Sequence, residues 1–350
     1  MTNSLKFTFH DIIDAVTEGN TLNKCLTAAL FISYAYTFSC ITRETLACCE
    51  FFAFLVVVYF MNKAIADFFE KSARWLAENV FVGKSNENIL ERKFKLGRFK
   101  SQGLQFSTHF LSVLLQIPTI IPEGLMSDFD KLWSPCPVVQ EITHAIRFAY
   151  MFELASYCFQ AFEHRFSNIR NKDYYVMFTH HIVTILLIAG SYDANAFRVG
   201  LLVMFMHDFS DIFVDINLMT NQLGMEGKDY FFLSEILYIF MSSSWFIFRL
   251  IYLPKLIKNI LTSGHRMCAA QFPGQVWKYP HCEGIKFFWP GVIMLSALVV
   301  MHAYWMYLIF MIGYRVITDT TSTNKAEAYE TDLNEVKKRK LEKKEKAKNE

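Results

Sequence analysis

The sequence predicts an all-α protein, a polytopic helical bundle in a membrane, and three observations predict it. Hydrophobic residues fill 53% of 350 positions, with 35 phenylalanines, while charged residues reach only 19% and mean hydropathy is +0.21. Several apolar runs approach or exceed the about 20 residues that a helix needs to cross a bilayer. The alternating segments of about ten residues that build a transmembrane barrel are absent. The lipid bilayer is the first expected partner; no nucleic-acid partner is expected.

Taken in order, residues 1–21 read as a short amphipathic surface helix without the continuous apolar core of a cleavable signal peptide. Residues 25–41 are apolar but short, and fit a span, a re-entrant segment or an interfacial helix; seven and eight spans both stay open. Residues 45–61 make a better span despite Glu50. From Asn62 to Lys100 the chain is rich in Lys and Arg, too polar to cross, and cytosolic by the positive-inside rule. Six spans follow, at Gly103–Ile121, Ile142–Phe162, Tyr174–Tyr192, Arg198–Leu218, Tyr230–Leu253 and Phe287–Gly313. Three regions result: residues 1–102, with one or two hydrophobic segments and the basic stretch; a transmembrane core, 103–313; and a charged tail, 314–350.

Loop charge sets the orientation. Arg165, Arg170 and Lys172 place the loop 163–173 in the cytosol, and the loop 122–141, with Lys131 among four acidic residues, on the other side. Alternation then puts the tail in the cytosol. The loop 254–286, with five basic residues, runs against this scheme, which the 62–102 stretch and the tail support. Lys346 and Lys348 have the spacing of a dilysine retrieval signal, so an endoplasmic-reticulum membrane is expected, although a lysine-rich tail produces that spacing about as readily by chance. The eight cysteines form no Cys-x-x-Cys pair. His265, Cys268, His281 and Cys282 match no standard zinc spacing.

The stretch Tyr175–Gln222 organises the rest. Ionisable side chains inside lipid-length apolar segments are costly, so they face a bundle interior or a wet cavity. His207, Asp208, Asp211 and Asp215 run along its second apolar segment at spacings of three, four and seven, which share a helical face. Close carboxylates raise one another's pKa unless a cation compensates, and a histidine among them is oriented as a general base requires. His180 and His181 lie in the first segment, about 100° apart on a helix, so they take separate roles. Asn195 and Arg198 sit at the polar hinge, where arginine can bind an anion. A satisfied buried histidine is the bland alternative, and a metal site on His207 and Asp211 is a third.

These residues carry a resemblance. The chain resembles the ceramide synthases of the TLC membrane superfamily, through His180-His181, Ser191-Tyr192-x-x-Asn195, Arg198, Gly200, His207-Asp208-x-x-Asp211, Asp215 and Asn221. Tyr150-Met-Phe-Glu153-Leu154, Arg249-Leu-Ile-x-x-Pro254 and His302-x-Tyr304-Trp305 extend it, over roughly residues 93–315. Asp215 stands where the family usually has Glu, and Ala196 where it has an aromatic residue. The resemblance implies a six-span TLC core, and N-acylation of a sphingoid base by a fatty acyl-CoA to give (dihydro)ceramide and free CoA. It implies fatty acyl-CoA and the sphingoid base as partners, a homo- or heterodimer, and no metal or redox cofactor, acyl-CoA being a co-substrate. It assigns His180 as the nucleophile that takes the acyl group from the thioester, with His181 on the oxyanion or the proton. Asp208 and Asp211 orient a histidine and accept the ammonium proton. In a direct transfer a histidine acts only as base. Arg98, Arg147, Arg165, Arg170 and Lys172 are candidates for the CoA phosphates. Three further classes compete, one of them a metal-dependent lipid hydroxylase, which would carry several His-x-x-His or His-x-x-x-His boxes near the cytosolic face, and none occurs in the sequence. A non-enzymatic TLC protein for translocation or lipid sensing need not keep both histidine motifs. A proton-coupled transporter would show repeats and broken helices, which are absent from the sequence.

Overall fold

The computed structural model describes residues 21–79, 89–134, 140–166, 173–223, 225, 227–264, 266 and 287–318. Among them, helix is the only regular structure. The long elements are α1 (Thr21–Ile41), α2 (Thr45–Asn79), α3 (Ile89–Glu123), α4 (His144–Phe166), α5 (Tyr174–Asp193), α6 (Phe197–Gln222), α7 (Leu233–Gly264) and α8 (Phe288–Thr318). A 3-10 turn, Phe129–Trp133, follows α3.

Helices α3, α4, α5, α8, α7 and α6 close into a ring in that order, with the largest interface between α3 and α6. Helix α2 packs against α3 and α4, and α1 against α5. Six helices, α1, α2, α3, α5, α7 and α8, are long and apolar enough to cross a bilayer. Helices α4 and α6 fall short of that apolarity because they carry the ionisable residues of the core, and both face protein. In α4 the run from Ala149 to Cys158 is buried without a break.

Lipid is as apolar as the side chains it surrounds, so close packing and cross-helix polar bonds hold such a bundle. Arg147 at the start of α4 grips Glu50 of α2 with two nitrogens, at 2.8 and 3.2 Å, which explains an acidic residue in that span. The Tyr192 hydroxyl donates to Glu44 at 2.8 Å, and Arg43 pairs with Asp193. The α1–α2 turn is thereby clipped to the α5–α6 hinge. A Cβ on Gly200 would collide with the Tyr150 hydroxyl and Ser191. Without one, the Tyr150 hydroxyl donates to Phe197 O at 3.1 Å and binds α4 across the hinge. Replacing Glu50 with Ala strands a nearly buried guanidinium, and the expected cost is about 3–5 kcal/mol. A lowered unfolding midpoint in detergent checks it; Glu50→Leu with Arg147→Leu should recover most of the loss.

Three expectations about the elements change. The 25–41 segment belongs to a 21-residue helix of spanning length. The span expected at 45–61 ends too early, since its helix, α2, continues into the basic stretch through Asn79, and α3 begins at Ile89. Charge pairing supports that extension: Arg74 meets Glu70 one turn earlier at 2.9 Å, and Lys100 of α3 meets the same Glu70 at 3.2 Å. The expected boundary at Leu253 is also too early. A π-helical stretch, Phe246–Tyr252, precedes Pro254, and the helix continues to Gly264. Wider π turns absorb an interruption without ending a helix. The expected surface helix over 1–21, apart from Thr21, and the tail with its dilysine lie outside the described residues, as do His265, Cys268, His281 and Cys282.

Candidate active site

The adjacent histidines of α5 diverge as predicted. The His180 ring packs edge-on against Trp305, 5.5 Å between centroids, and lies 6.0 Å from the His302 ring, both on α8. The His181 ring turns to α4, 5.5 Å from His164. Tyr157 contacts both, at 6.5 and 6.0 Å. From α6, the His207 ring lies 4.9 Å from His302. One buried cluster thus joins His180, His207 and His302 across three helices. His302 is wholly buried, and neither ring nitrogen has a hydrogen-bond partner among the described residues.

His207 has a defined tautomer. Its Nδ1 lies 2.7 Å from Val203 O one turn back. A carbonyl only accepts, so Nδ1 carries the proton and Nε2 presents its lone pair. That Nε2 is buried and has no partner among the described residues. His207 also lines a cavity between α4, α5, α6, α7 and α8 that holds about 850 Å³ of empty space, its open mouth included. Thr184, one turn beyond His180 on the same face, lines it too, and the rest of the wall is largely apolar.

The acidic stripe of α6 divides. Residues seven apart on a helix nearly align, whereas Asp211 is turned about 60° from Asp208. Asp208 and Asp215 therefore face α3, and Asp211 faces α7. Asp208 is fully buried and accepts from Ser112 at 2.7 Å and Gln116 at 2.9 Å. Ser112 Oγ also lies 2.5 Å from Glu153 of α4. A serine has one hydrogen for these two carboxyl groups, so one of the two contacts needs a proton on a carboxyl group. Asp215 meets His109 Nδ1 at 2.8 Å and accepts from Gln102. Asp211 pairs with Arg249 of α7 at 2.6 Å. Arg249 donates to Ser210 Oγ at 2.9 Å and His207 O at 3.1 Å, and stacks 3.9 Å over Trp245.

The hinge and cation candidates find other places. Asn195 is exposed and takes a left-handed conformation, φ 54°, in the turn from α5 to α6; asparagine is among the few non-glycine residues that do so readily. Arg198 pairs with Glu123 at 2.7 Å and donates to Ser134 O at 2.5 Å. Arg147 is held by Glu50 at the opposite end of α4 from Arg165, about 27 Å away at 1.5 Å per residue. Arg165 is buried and donates to Thr27 at 2.7 Å. Arg98 lies half-buried near the start of the apolar part of α3. Arg170 and Lys172 lie outside the described residues.

Sequence reading left His302, His109, Ser112, Gln116, Arg249 and Glu153 out of the site. Glu153, Arg249 and His302 stood in quoted motifs, and each is a polar residue inside a predicted span, which is itself a signal. Ser112 and Gln116 gave no such signal, because uncharged polar residues are common in spans.

Comparison with known proteins places the chain in a family. Residues 98–311 match the TLC domain family model. The chain is 26% identical over 262 residues to Ceramide synthase LOH1 of Arabidopsis thaliana, covering 72% of this chain and 79% of the relative. It is 22% identical to Ceramide synthase hyl-2 of Caenorhabditis elegans, over 67% of this chain and 69% of the relative. It is 30% identical to Ceramide synthase 5 of Homo sapiens, over 54% of this chain and 43% of the relative. A family model that spans the ring from α3 to α8, and so the whole histidine cluster, shows that the chain belongs to the TLC-domain family of membrane proteins.

Proposed function

We propose that this chain is a ceramide synthase, moving a fatty acyl group from acyl-CoA to the amine of a sphingoid base, and that the acyl group passes through an imidazole of the buried cluster. The observation that carries the mechanism is the largely apolar cavity ending on His207, whose Nε2 lone pair has no partner among the described residues. His180 keeps the nucleophile's role that the resemblance implies. It stands two turns into α5, near the loop that carries the basic residues, and one turn from cavity-lining Thr184. A thioester there reaches the imidazole from the cytosolic end while its chain runs down the cavity. Imidazole nitrogen attacks the carbonyl carbon, the C–S bond breaks, and CoA leaves as thiolate. The sphingoid ammonium must lose a proton before its nitrogen can attack the acyl-imidazole. His207 Nε2 is the base for that step, because Asp211 is committed to Arg249 and Asp208 to Ser112 and Gln116. Attack of the amine then forms the amide C–N bond, the acyl–imidazole bond breaks, and the proton shed by the amine nitrogen passes to the departing His180 nitrogen.

The test is intact-protein mass spectrometry of purified protein given palmitoyl-CoA without amine. Wild type should gain one palmitoyl mass, sphinganine should discharge it as N-acyl product, and His180→Ala should gain none. Sphinganine-dependent release of CoA without any adduct would instead favour direct transfer with histidine as base. Neither adduct nor release with any acyl chain would overturn the reading.

The endoplasmic reticulum is the proposed location, with the tail in the cytosol; the loop charges and the dilysine spacing support both. A dimer is proposed from the resemblance alone.

A further inference from the structure

The positions of the lining residues along their helices give the cavity a length. His207, Glu153, Tyr157, Thr184 and Leu298 line it toward the histidine cluster, and Trp133, Ala194, Ala196, Ile260 and Phe287 line it toward the hinge. Ala196 and His207 are eleven residues apart on the α6 stretch, which at ~1.5 Å per residue is roughly 16 Å. An extended alkyl chain, with C–C bonds of about 1.5 Å in a zigzag, advances roughly 1.3 Å per carbon. The cavity therefore takes roughly twelve carbons, and the turn between Thr184 and His180 adds about four more.

Trp133 is held at the hinge end by Asn259 and by close packing on Gly264. It is 3% exposed. Its indole N–H donates to Asn259 Oδ1 at 2.7 Å, and Asn259 Nδ2 donates to Asp130 at 2.9 Å. Hydrogen bonds from Asn259 and then Ser263 hold the Asp130 carboxyl below the usual carboxylate range, so this anchor stays charged at neutral pH. A Cβ on Gly264 would come within 2.6 Å of the indole ring, so glycine there leaves room for its seat. Arg198, braced on Glu123, holds the carbonyl of the next residue, Ser134.

On the reading of the chain as an acyltransferase, we propose that Trp133 is the gauge of acyl length, and that it commits the enzyme to long-chain groups of about fourteen to sixteen carbons. A very-long-chain group of 22–26 carbons would have to displace the indole and break its bond to Asn259. Truncating Trp133 opens the end; adding bulk at Gly264 pushes the indole inward and shortens the cavity.

The experiment is a competition. Full-length protein in nanodiscs receives sphinganine and an equimolar mixture of saturated acyl-CoAs from 12 to 26 carbons, and the ceramides are resolved by mass. Wild type should peak at 14–16 carbons, with 24-carbon product at least tenfold lower. Trp133→Ala should raise the ratio of 24- to 16-carbon product at least tenfold. Gly264→Ala should move the peak the other way, toward 12–14 carbons, a reversal that general destabilisation does not produce. Asn259→Leu, which frees the indole without removing it, should fall between wild type and Trp133→Ala. A wild-type peak at 22 carbons or more, or a ratio unchanged in whichever variants stay active, would overturn the gauge while leaving acyl transfer in place. No ceramide of any length from wild type would overturn the parent reading instead.

Discussion

Changing His207 to Ala should lower turnover by about 10²–10⁴-fold, the usual worth of a positioned general base. The KM for acyl-CoA should change little, since an interaction used only in the transition state shows in kcat. The variant should still gain the palmitoyl mass from palmitoyl-CoA, because His180 is intact. What it should lose is discharge, so the adduct outlives the addition of sphinganine. Raising the pH should restore part of the rate, because more of the amine is then free base and the missing acceptor matters less. His207→Gln is the stricter variant. Its amide keeps volume and polarity but takes no proton, so it should behave like Ala. If His207→Ala abolishes the adduct while His180→Ala retains it, the two roles are exchanged.

The α5 histidines and the acidic stripe of α6 were legible in the sequence because a membrane makes charge conspicuous. Asp208, Asp211 and Asp215 stand out in α6 for the same reason that they must be compensated, and His180-His181 diverge as helical geometry requires. The architecture followed from apolar run lengths. The compensation was harder to read. Arg249 sits 38 residues beyond Asp211, and sequence spacing says nothing about which helices become neighbours. The apparent anion binders at the hinge and in α4 fared differently for one shared reason. An arginine that enters a bundle is pulled to the nearest carboxylate, so Arg147 found Glu50 and Arg198 found Glu123. The basic stretch after Asn62 was read for its polarity alone; that it prolongs α2 rests on i, i+4 pairs, which stabilise exposed helix by a few tenths of a kcal/mol each.

Arg249→Met should be the most damaging single change outside the histidines. Glu153, Asp208, Asp211 and Asp215 make up the acidic layer of the core, with Asp211 half-buried on its α7 side, and Arg249 is the guanidinium that meets it there. Without that charge Asp211 keeps no described partner, and Ser210 Oγ and His207 O lose a donor. Removing one partner of a buried pair costs about 3–5 kcal/mol, a large share of the about 5–15 kcal/mol that holds a folded domain. A fall in unfolding midpoint in detergent should therefore accompany loss of turnover. Arg249→Lys should rescue little, since an ammonium lacks the planar fork that reaches Asp211, Ser210 and the carbonyl together and stacks on Trp245. Adding Asp211→Asn to Arg249→Met separates charge from shape. The double variant should regain most of the lost stability, because the stranded carboxylate is gone. It should stay slow, because the α6 carbonyl beside His207 is no longer held from α7. A single variant as stable as wild type would show that the layer carries protons in place of the guanidinium, and would move its compensation to His109 and the shared carboxyl pair.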